Sequence, residues 1–484
     1  MSASPRAGAG PDVLDWPLVG PFLRWRHART SVQLAGLAVA AVIVGHGLWG
    51  PDLAPLNLAT VLSWVHYRGL LVVALLAAGN LFCTACPFVL VRDAGRRLHA
   101  PRRGWPRALR TKWAAIALLL LVLFVYERMD LWALPRATAW LVVGYFAAAL
   151  AVDLLFRGAT FCKYLCPIGQ FNFVASTVSP LELRVKQIST CGSCRTSDCI
   201  RGRRDPVRPE VVVQRGCELA LFLPSKVGNL DCTLCLDCVH ACPHDNIALA
   251  PRVPAAELSD DRRRSGIGRL SARHDIAALA VVFASAGVVN AFAMVAPAAS
   301  AGRWIGAALG TGSETLILAV LFALGAGVIP AALVGGAAAW SRLAEPRPRP
   351  PLRQVAASYA YALVPVGFGV WLAHYGFHLL TGALTVVPVT QSAVADLAGH
   401  AWLGTPWWGA VGMRPGAVLP IQLGLVLLGA MGSVAVAAGI VERRTGRLSL
   451  PALAPWAALV IALALAAAWI FMMPMDMRGT RLAG

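Results

Sequence analysis

Charge is scarce in this sequence. Charged residues make up 14% of its 484 positions, where a soluble globular chain carries about 25%. Acidic side chains are the scarcer kind, with 24 Asp and Glu against 43 Lys and Arg and a formal net charge of +19. Hardly any acidic residue falls inside an apolar run, Asp153 and Glu314 lying near run ends, which argues against a proton or sodium pump. A small-residue cleavage site and a twin-arginine motif are both missing near the N-terminus, so the first apolar run is expected to be a retained anchor.

What is present is apolar. Hydrophobic residues reach 57%, and the mean hydropathy is +0.64. Runs long enough for a bilayer of about 30 Å fall at 33–49, 58–81, 113–126, 139–156, 276–297, 315–340, 356–387, 417–441 and 452–473. The third is short unless it continues through "ERMDLWAL". The expected fold is an all-α polytopic membrane protein of about nine transmembrane helices with an inserted small α+β two-cluster ferredoxin-like domain. Its expected parts are an N-terminal segment 1–31, a four-helix membrane domain 32–157, a cysteine-rich region 158–250, a polar linker 251–274 and a five-helix membrane domain 275–484.

The basic residues occupy alternate loops rather than one face, which disfavours nucleic-acid binding and invokes the positive-inside rule. With nine crossings, that rule puts the N-terminus and every cysteine on the cytoplasmic side of a bacterial inner membrane and the C-terminus in the periplasm. Structural disulfides are disfavoured in that compartment, and thiolate metal ligands are favoured.

The twelve cysteines fall into three sets of four. Cys232, Cys235, Cys238 and Cys242-Pro243 have the spacing C-x2-C-x2-C-x3-C-P of bacterial two-cluster ferredoxins, in which the fourth cysteine ligates the other cluster. A zinc knuckle of two Cys-x-x-Cys pairs is the competing reading. Cys191, Cys194, Cys199 and, after an insertion, Cys217 supply the other half. Crossing over the fourth ligand assigns one 4Fe–4S cluster to Cys191, Cys194, Cys199 and Cys242, and another to Cys217, Cys232, Cys235 and Cys238. The insertion "IRGRRDPVRPEVVVQRG" is either a solvated loop or a basic docking surface.

The remaining cysteines form an internal echo, "FCTACP" with Cys83 and Cys86 and "FCKYLCP" with Cys162 and Cys166. Each lies where a span reaches the cytoplasm. Together they suit a third 4Fe–4S cluster, a redox-active dithiol pair, or buried thiols without chemistry.

Cysteine-proline motifs at span ends followed by a ferredoxin motif resemble the NapH/NosR/CcoG group of membrane-bound polyferredoxins. The resemblance covers about residues 58–250; Cys162-x3-Cys166-Pro167 matches the family's C-x3-C-P, while Cys83-x2-Cys86-Pro87 is one residue shorter. It implies electron transfer between a quinol pool and a terminal reductase, or metal reduction during oxidase assembly. The chain would then be an electron-transfer subunit rather than a stand-alone enzyme, exchanging electrons with a quinone pool or cytoplasmic donor and a ferredoxin-like or terminal reductase or oxidase partner. Lys163, Lys186 and nearby arginines raise cluster potentials, attract an acidic partner, or simply orient the chain.

Within the spans, His46, His66, His374 and His378 are candidate cofactor residues, His374 and His378 sharing a face at i,i+4. A histidine with Arg68 or Tyr375 suits a quinone, histidines on opposing helices suit haem b, and interhelical hydrogen bonding is the plain alternative. Met472, Met473, Met475 and Met477 could select copper(I) as in a copper reductase or assembly factor, or simply fill a helix end. Trp402, Trp407 and Trp408 suit an interfacial belt or a docking surface. A redox-sensing regulatory protein is the remaining alternative to an electron conduit.

Overall fold

The computed structural model describes residues 11–99 and 101–474. Among the described residues, eight helices are long and apolar enough to cross a membrane: Ala28–Trp49, Leu58–Ala78, Pro135–Leu155, His274–Phe292, Glu314–Leu343, Leu352–Thr381, Pro415–Thr445 and Leu450–Phe471. Eight of the nine expected runs thus form helices of that length. The missing member is Trp113–Arg128, whose 16 residues rise only about 24 Å at 1.5 Å per residue. It does not continue through the following segment because Asp130 adopts a left-handed conformation, φ 46°, before a short 3-10 turn at Leu131–Ala133. Pro135 then opens the next helix, a position that needs no backbone donor.

The chain divides into two compact units. The larger holds 38–73, 111–147 and 274–474 among the described residues. Its centre is the helix Leu352–Thr381, in which every residue from 357 to 376 is buried. A helix apolar all round must be enclosed on every side, and this one packs on His274–Phe292 and Pro415–Thr445. Glycine permits the close approach: a Cβ on Gly369 would stand 2.7 Å from Leu425 O, and one on Gly429 would stand 2.6 Å from Pro365 O. Small residues at such crossings let backbones meet where lipid offers no hydrophobic drive.

The smaller unit holds 11–37, 74–99, 101–110 and 148–273 among the described residues, and with them all twelve cysteines. Strand Leu181–Val185 pairs antiparallel with Ile247–Pro251, Leu183 opposite Leu249, both side chains buried. The insertion folds into a short hairpin of Arg203–Arg204 and Val212–Gln214. Residues 251–274, read as a polar linker, are instead packed, with Glu257, Leu258, Arg264, Ile267 and Leu270 buried. The Glu257 carboxylate accepts from Asn229 N at 2.7 Å, Arg252 Nη1 at 2.8 Å and Arg264 Nη1 at 3.1 Å. Gly228 has φ +64°, and a Cβ there would fall 2.0 Å from Glu257 Cδ. This anchor fixes the entry to the Cys232 loop.

Candidate metal centres

Both Cys-Pro motifs use proline to break a helix at the thiol. Helix Leu81–Ala85 stops at Cys86 (φ −63°, ψ 116°), and the π-helical turn Phe161–Leu165 stops at Cys166 (φ −59°, ψ 111°). A residue before proline is pushed to extended geometry, and Pro87 and Pro167 each start a new helix. Cys166 Sγ accepts the Gly169 N–H at 3.2 Å, at a helix N-terminus where negative charge is favoured.

Cys83, Cys86, Cys162 and Cys166 line one cavity of about 30 Å³, together with Arg29, Arg92, Asp153 and Glu218. Burial pushes the Cys83 thiol up to about 12 and raises Cys86, Cys162 and Cys166 as well. Arg92 is only 1% exposed. Its Nη2 donates to Glu218 Oε1 at 2.9 Å, while Nη1, 3.5 Å from Asp153 Oδ2, makes no hydrogen bond. A buried cation with an unused donor on the cavity wall suits electron-rich sulfur.

A second cavity, of about 20 Å³, is lined by Cys217, Cys232, Cys235 and Cys238. Its loop wraps tightly, with Asp231, Leu234 and Leu236 all at positive φ, a costly conformation held only by surrounding structure. That support comes from the first motif: Asn80 Nδ2 donates to Cys232 O at 3.2 Å, and Thr84 Oγ1 to Leu234 O at 2.9 Å. Burial raises Cys235 and Cys238 well above the ordinary thiol value and Cys217 less far.

The third cavity, of about 30 Å³, is lined by Cys191, Cys194, Cys199 and Cys242. All four thiols are partly exposed, whereas three of the four in the second set are buried. Asn246 Nδ2 donates to Cys191 Sγ at 3.3 Å. Burial takes Cys199 up to about 11, but the Ser197 N–H and the Thr196 hydroxyl draw Cys194 below its ordinary value. The structure thus gathers each of the three four-cysteine sets around its own cavity. Among the described residues no three His, Cys, Asp or Glu side chains converge on a single ion, as zinc would require with sulfurs about 3.8 Å apart around a Zn–S bond of about 2.3 Å. Four thiols around a mainly apolar cavity are a donor set that fits a cubane.

The histidines separate into two kinds. His46 Nδ1 accepts the Leu58 N–H at 3.1 Å, and the His66 ring nitrogens lie 3.0 Å from Val61 O and 3.1 Å from Ala383 O. Both are thus engaged with backbone. His374 and His378 stand one turn apart with ring centres 5.1 Å apart and perpendicular. His374 is 0% exposed, and neither of its nitrogens nor His378 Nε2 has a hydrogen-bond partner. Arg68 joins this group: its guanidinium lies 4.7 Å from the Tyr375 ring centre and 5.0 Å from those of Trp64 and Tyr126, with Nε donating to Trp64 O. His374 and His378, the pair with buried unpartnered nitrogens, share one helix and so cannot ligate a haem b from opposite faces. Of the terminal methionines, Met472 is exposed, and Met475 and Met477 lie outside the described residues. Trp402, Trp407 and Trp408 are exposed.

Arg92, Glu218 and Glu257 are site residues that sequence reasoning missed. The basic loops masked Arg92, and the linker reading masked Glu257; Glu218 carried one local signal, its place directly after Cys217.

No family model matches this chain, and no solved structure matches it. The regulatory protein NosR of Pseudomonas aeruginosa is 28% identical over 186 residues, 34% of this chain and 24% of NosR. YccM of Escherichia coli K12, named provisionally as an electron transport protein, is 24% identical over 189 residues, 34% of this chain and 48% of YccM. The methylamine utilization ferredoxin-type protein MauN of Methylobacillus flagellatus is 27% identical over 212 residues, 40% of this chain and 71% of MauN. The chain thus spans about a quarter of NosR and about half of YccM. It is a multi-pass membrane protein similar, over a third or so of its length, to the regulatory protein NosR and to proteins named for electron transport and as ferredoxin-type.

Proposed function

We propose that this chain is a membrane-bound iron–sulfur electron-transfer protein that passes electrons between a quinone pool or cytoplasmic donor and a partner redox protein. The names of YccM and MauN, electron transport and ferredoxin-type, agree with that role. The observation that carries it is contiguity. Thr233 lines both the Cys83 cavity and the Cys217 cavity, and Leu223 lines both the Cys217 cavity and the Cys191 cavity. Neighbouring sites in the series are separated by about one side chain.

Three 4Fe–4S clusters, one per cavity, would supply one-electron carriers whose potentials follow burial, charge and hydrogen bonds to sulfur. The chain's part is to hold the thiols, exclude water and set those terms. Arg92 and Arg29 place positive charge on the wall of the first cavity. Asn246 donates to sulfur at the third. That third site is the most exposed and is followed in sequence by exposed Arg195, Arg201, Arg203, Arg204 and Arg208, a basic surface suited to an acidic redox partner. The cysteines would lie on the cytoplasmic side of a bacterial inner membrane, with the C-terminus in the periplasm.

The test is a Cys162→Ser/Cys166→Ser variant, purified anaerobically beside the unaltered chain. A loss of about a third of the iron and one reduced-state EPR signal, with the others kept, supports a cluster at the Cys-Pro motifs. Unchanged iron and spectra would assign those thiols to dithiol chemistry instead.

A further inference from the structure

A fourth cavity in the cysteine-bearing unit is of another kind. It is a cleft of about 550 Å³ whose walls come from the first turns of Ala28–Trp49, from 84–97 and from the hairpin strand Val212–Gln214, with Cys235 in its lining. The first turn of a membrane-crossing helix lies at headgroup depth. The cleft is large enough for a small amphipathic molecule.

Two further observations point to the chemistry of its ligand. Gln33 is 3% exposed, lines the cleft and leaves its Nε2 without a hydrogen-bond partner; Arg29 Nε on the same wall is also unused. Buried donors are ordinarily satisfied, so this wall is short of acceptors. The charge of the lining is also unbalanced. Among the lining residues Arg26, Arg29, Arg97 and Arg215 stand against Asp93 and Asp237, and Arg29 and Arg215 also reach Glu218 behind the wall. Arg29 pairs with Asp237 at 2.6 Å and Arg215 pairs with Asp93. Arg26 and Arg97 are left with no carboxylate among the described residues. Beside these cations, Phe22, Val32 and Leu90 give the cleft an apolar side, Phe22 being exposed.

We propose that this cleft binds the headgroup of an acidic phospholipid. Phosphodiester oxygens accept from Gln33 Nε2 and Arg29 Nε, Arg26 and Arg97 neutralise the negative charge, and the glyceryl and upper acyl region lies against Phe22, Val32 and Leu90. Basic pockets beside membrane helices take anionic headgroups on these grounds. A neutral quinone would accept the same two hydrogen bonds but leave Arg26 and Arg97 without a counter-charge, and a zwitterionic lipid would match them only in part. The inference stands apart from whether the thiols hold iron, because none of its contacts is made through a cysteine.

The test uses the full chain, delipidated in detergent and titrated with phosphatidylglycerol under native mass spectrometry. Phosphatidylcholine, a short-chain quinone and inorganic phosphate serve as comparators. The expected result is one tightly held phosphatidylglycerol, preferred at least about tenfold over phosphatidylcholine, and weakened about tenfold or more by Gln33→Leu and by an Arg26→Gln/Arg97→Gln pair. The arginine pair is on the surface, so its loss of lipid with unchanged circular dichroism cannot be a folding failure. Equal binding of the two lipids, binding indifferent to all these substitutions, displacement by quinone, or competition by inorganic phosphate at equal strength would each overturn the proposal.

Discussion

Arg92 Nη2 stands 2.9 Å from Glu218 Oε1, and this contact ties the Cys-Pro cavity, whose wall both residues line, to the loop that begins at Cys217. Burial alone would raise the Glu218 carboxyl, but Arg92 and Arg29 beside it hold it at about 2. Its folded value thus lies below the ordinary 4.5, so the stability it contributes is present above about pH 4.5 and lost as pH falls toward 2. Glu218→Gln is expected to cost on the order of 3 kcal/mol at pH 7. It should also flatten the acid side of a plot of melting temperature against pH between about 4.5 and 2.

Arg92 carries a second consequence, through its unused Nη1 on the cavity wall. Removing positive charge and a donor from beside a cluster makes its reduction harder. Arg92→Gln should lower the midpoint potential of one EPR signal and leave the others in place, and Arg92→Lys should recover part of the shift. A potential unmoved by either substitution would leave Arg92 a purely structural ion-pair member.

Thiol reactivity should divide the twelve cysteines once iron is stripped. At pH 8 the Cys83 thiol, pushed up to about 12, is thiolate in only roughly one molecule in ten thousand. Cys194 is drawn the other way by the Ser197 N–H. Iodoacetamide followed by peptide mass spectrometry should find Cys194 modified first and the buried thiols of the first two cavities last. Because raised thiols must lose protons to bind metal, reconstitution should proceed further at pH 9 than at pH 7.

The packed segment after the strands predicts an unusual sensitivity at the entry to the Cys232 loop. Gly228→Ala would drive a Cβ into the Glu257 carboxylate at a positive φ. Glu257→Gln would leave Arg252 and Arg264 without their shared charge. Breaking a buried pair in this way costs about 3–5 kcal/mol. Both variants should melt earlier and lose iron preferentially from the Cys217, Cys232, Cys235 and Cys238 site.

The short helix Trp113–Arg128 matters for topology. Arg157 N donates to Arg103 O at 2.8 Å, so the chain leaves the cysteine-bearing unit near Arg110 and comes back beside its point of departure. Trp113–Arg128 and Pro135–Leu155 are then expected to form an out-and-back pair despite the length of the first. Side-specific labelling of single reporters at Gly104 and Gly158 should find both on the same face.

Much of the cysteine arrangement was legible because ligand spacing is a local property. Crossing over the fourth cysteine of a ferredoxin motif grouped Cys242 with Cys191, Cys194 and Cys199, and those four line one cavity. The helices were legible because a bilayer demands about 20 apolar residues in a row. Residues that act through tertiary contacts were not legible. Arg92 looked like one more basic loop residue, yet it is buried against Asp153 and Glu218. Glu257 looked solvated, yet it organises a loop 28 positions away through Asn229. His46 and His66 looked like cofactor candidates because a polar residue in a span is costly, and backbone groups of neighbouring turns meet that cost instead.

The central claim is most directly tested by iron and acid-labile sulfide per chain on anaerobically purified protein. Three clusters predict about twelve of each. About eight would confine clusters to the two ferredoxin-type cavities and sever the route past Thr233 to the Cys-Pro site, and a preparation without iron would contradict the account altogether.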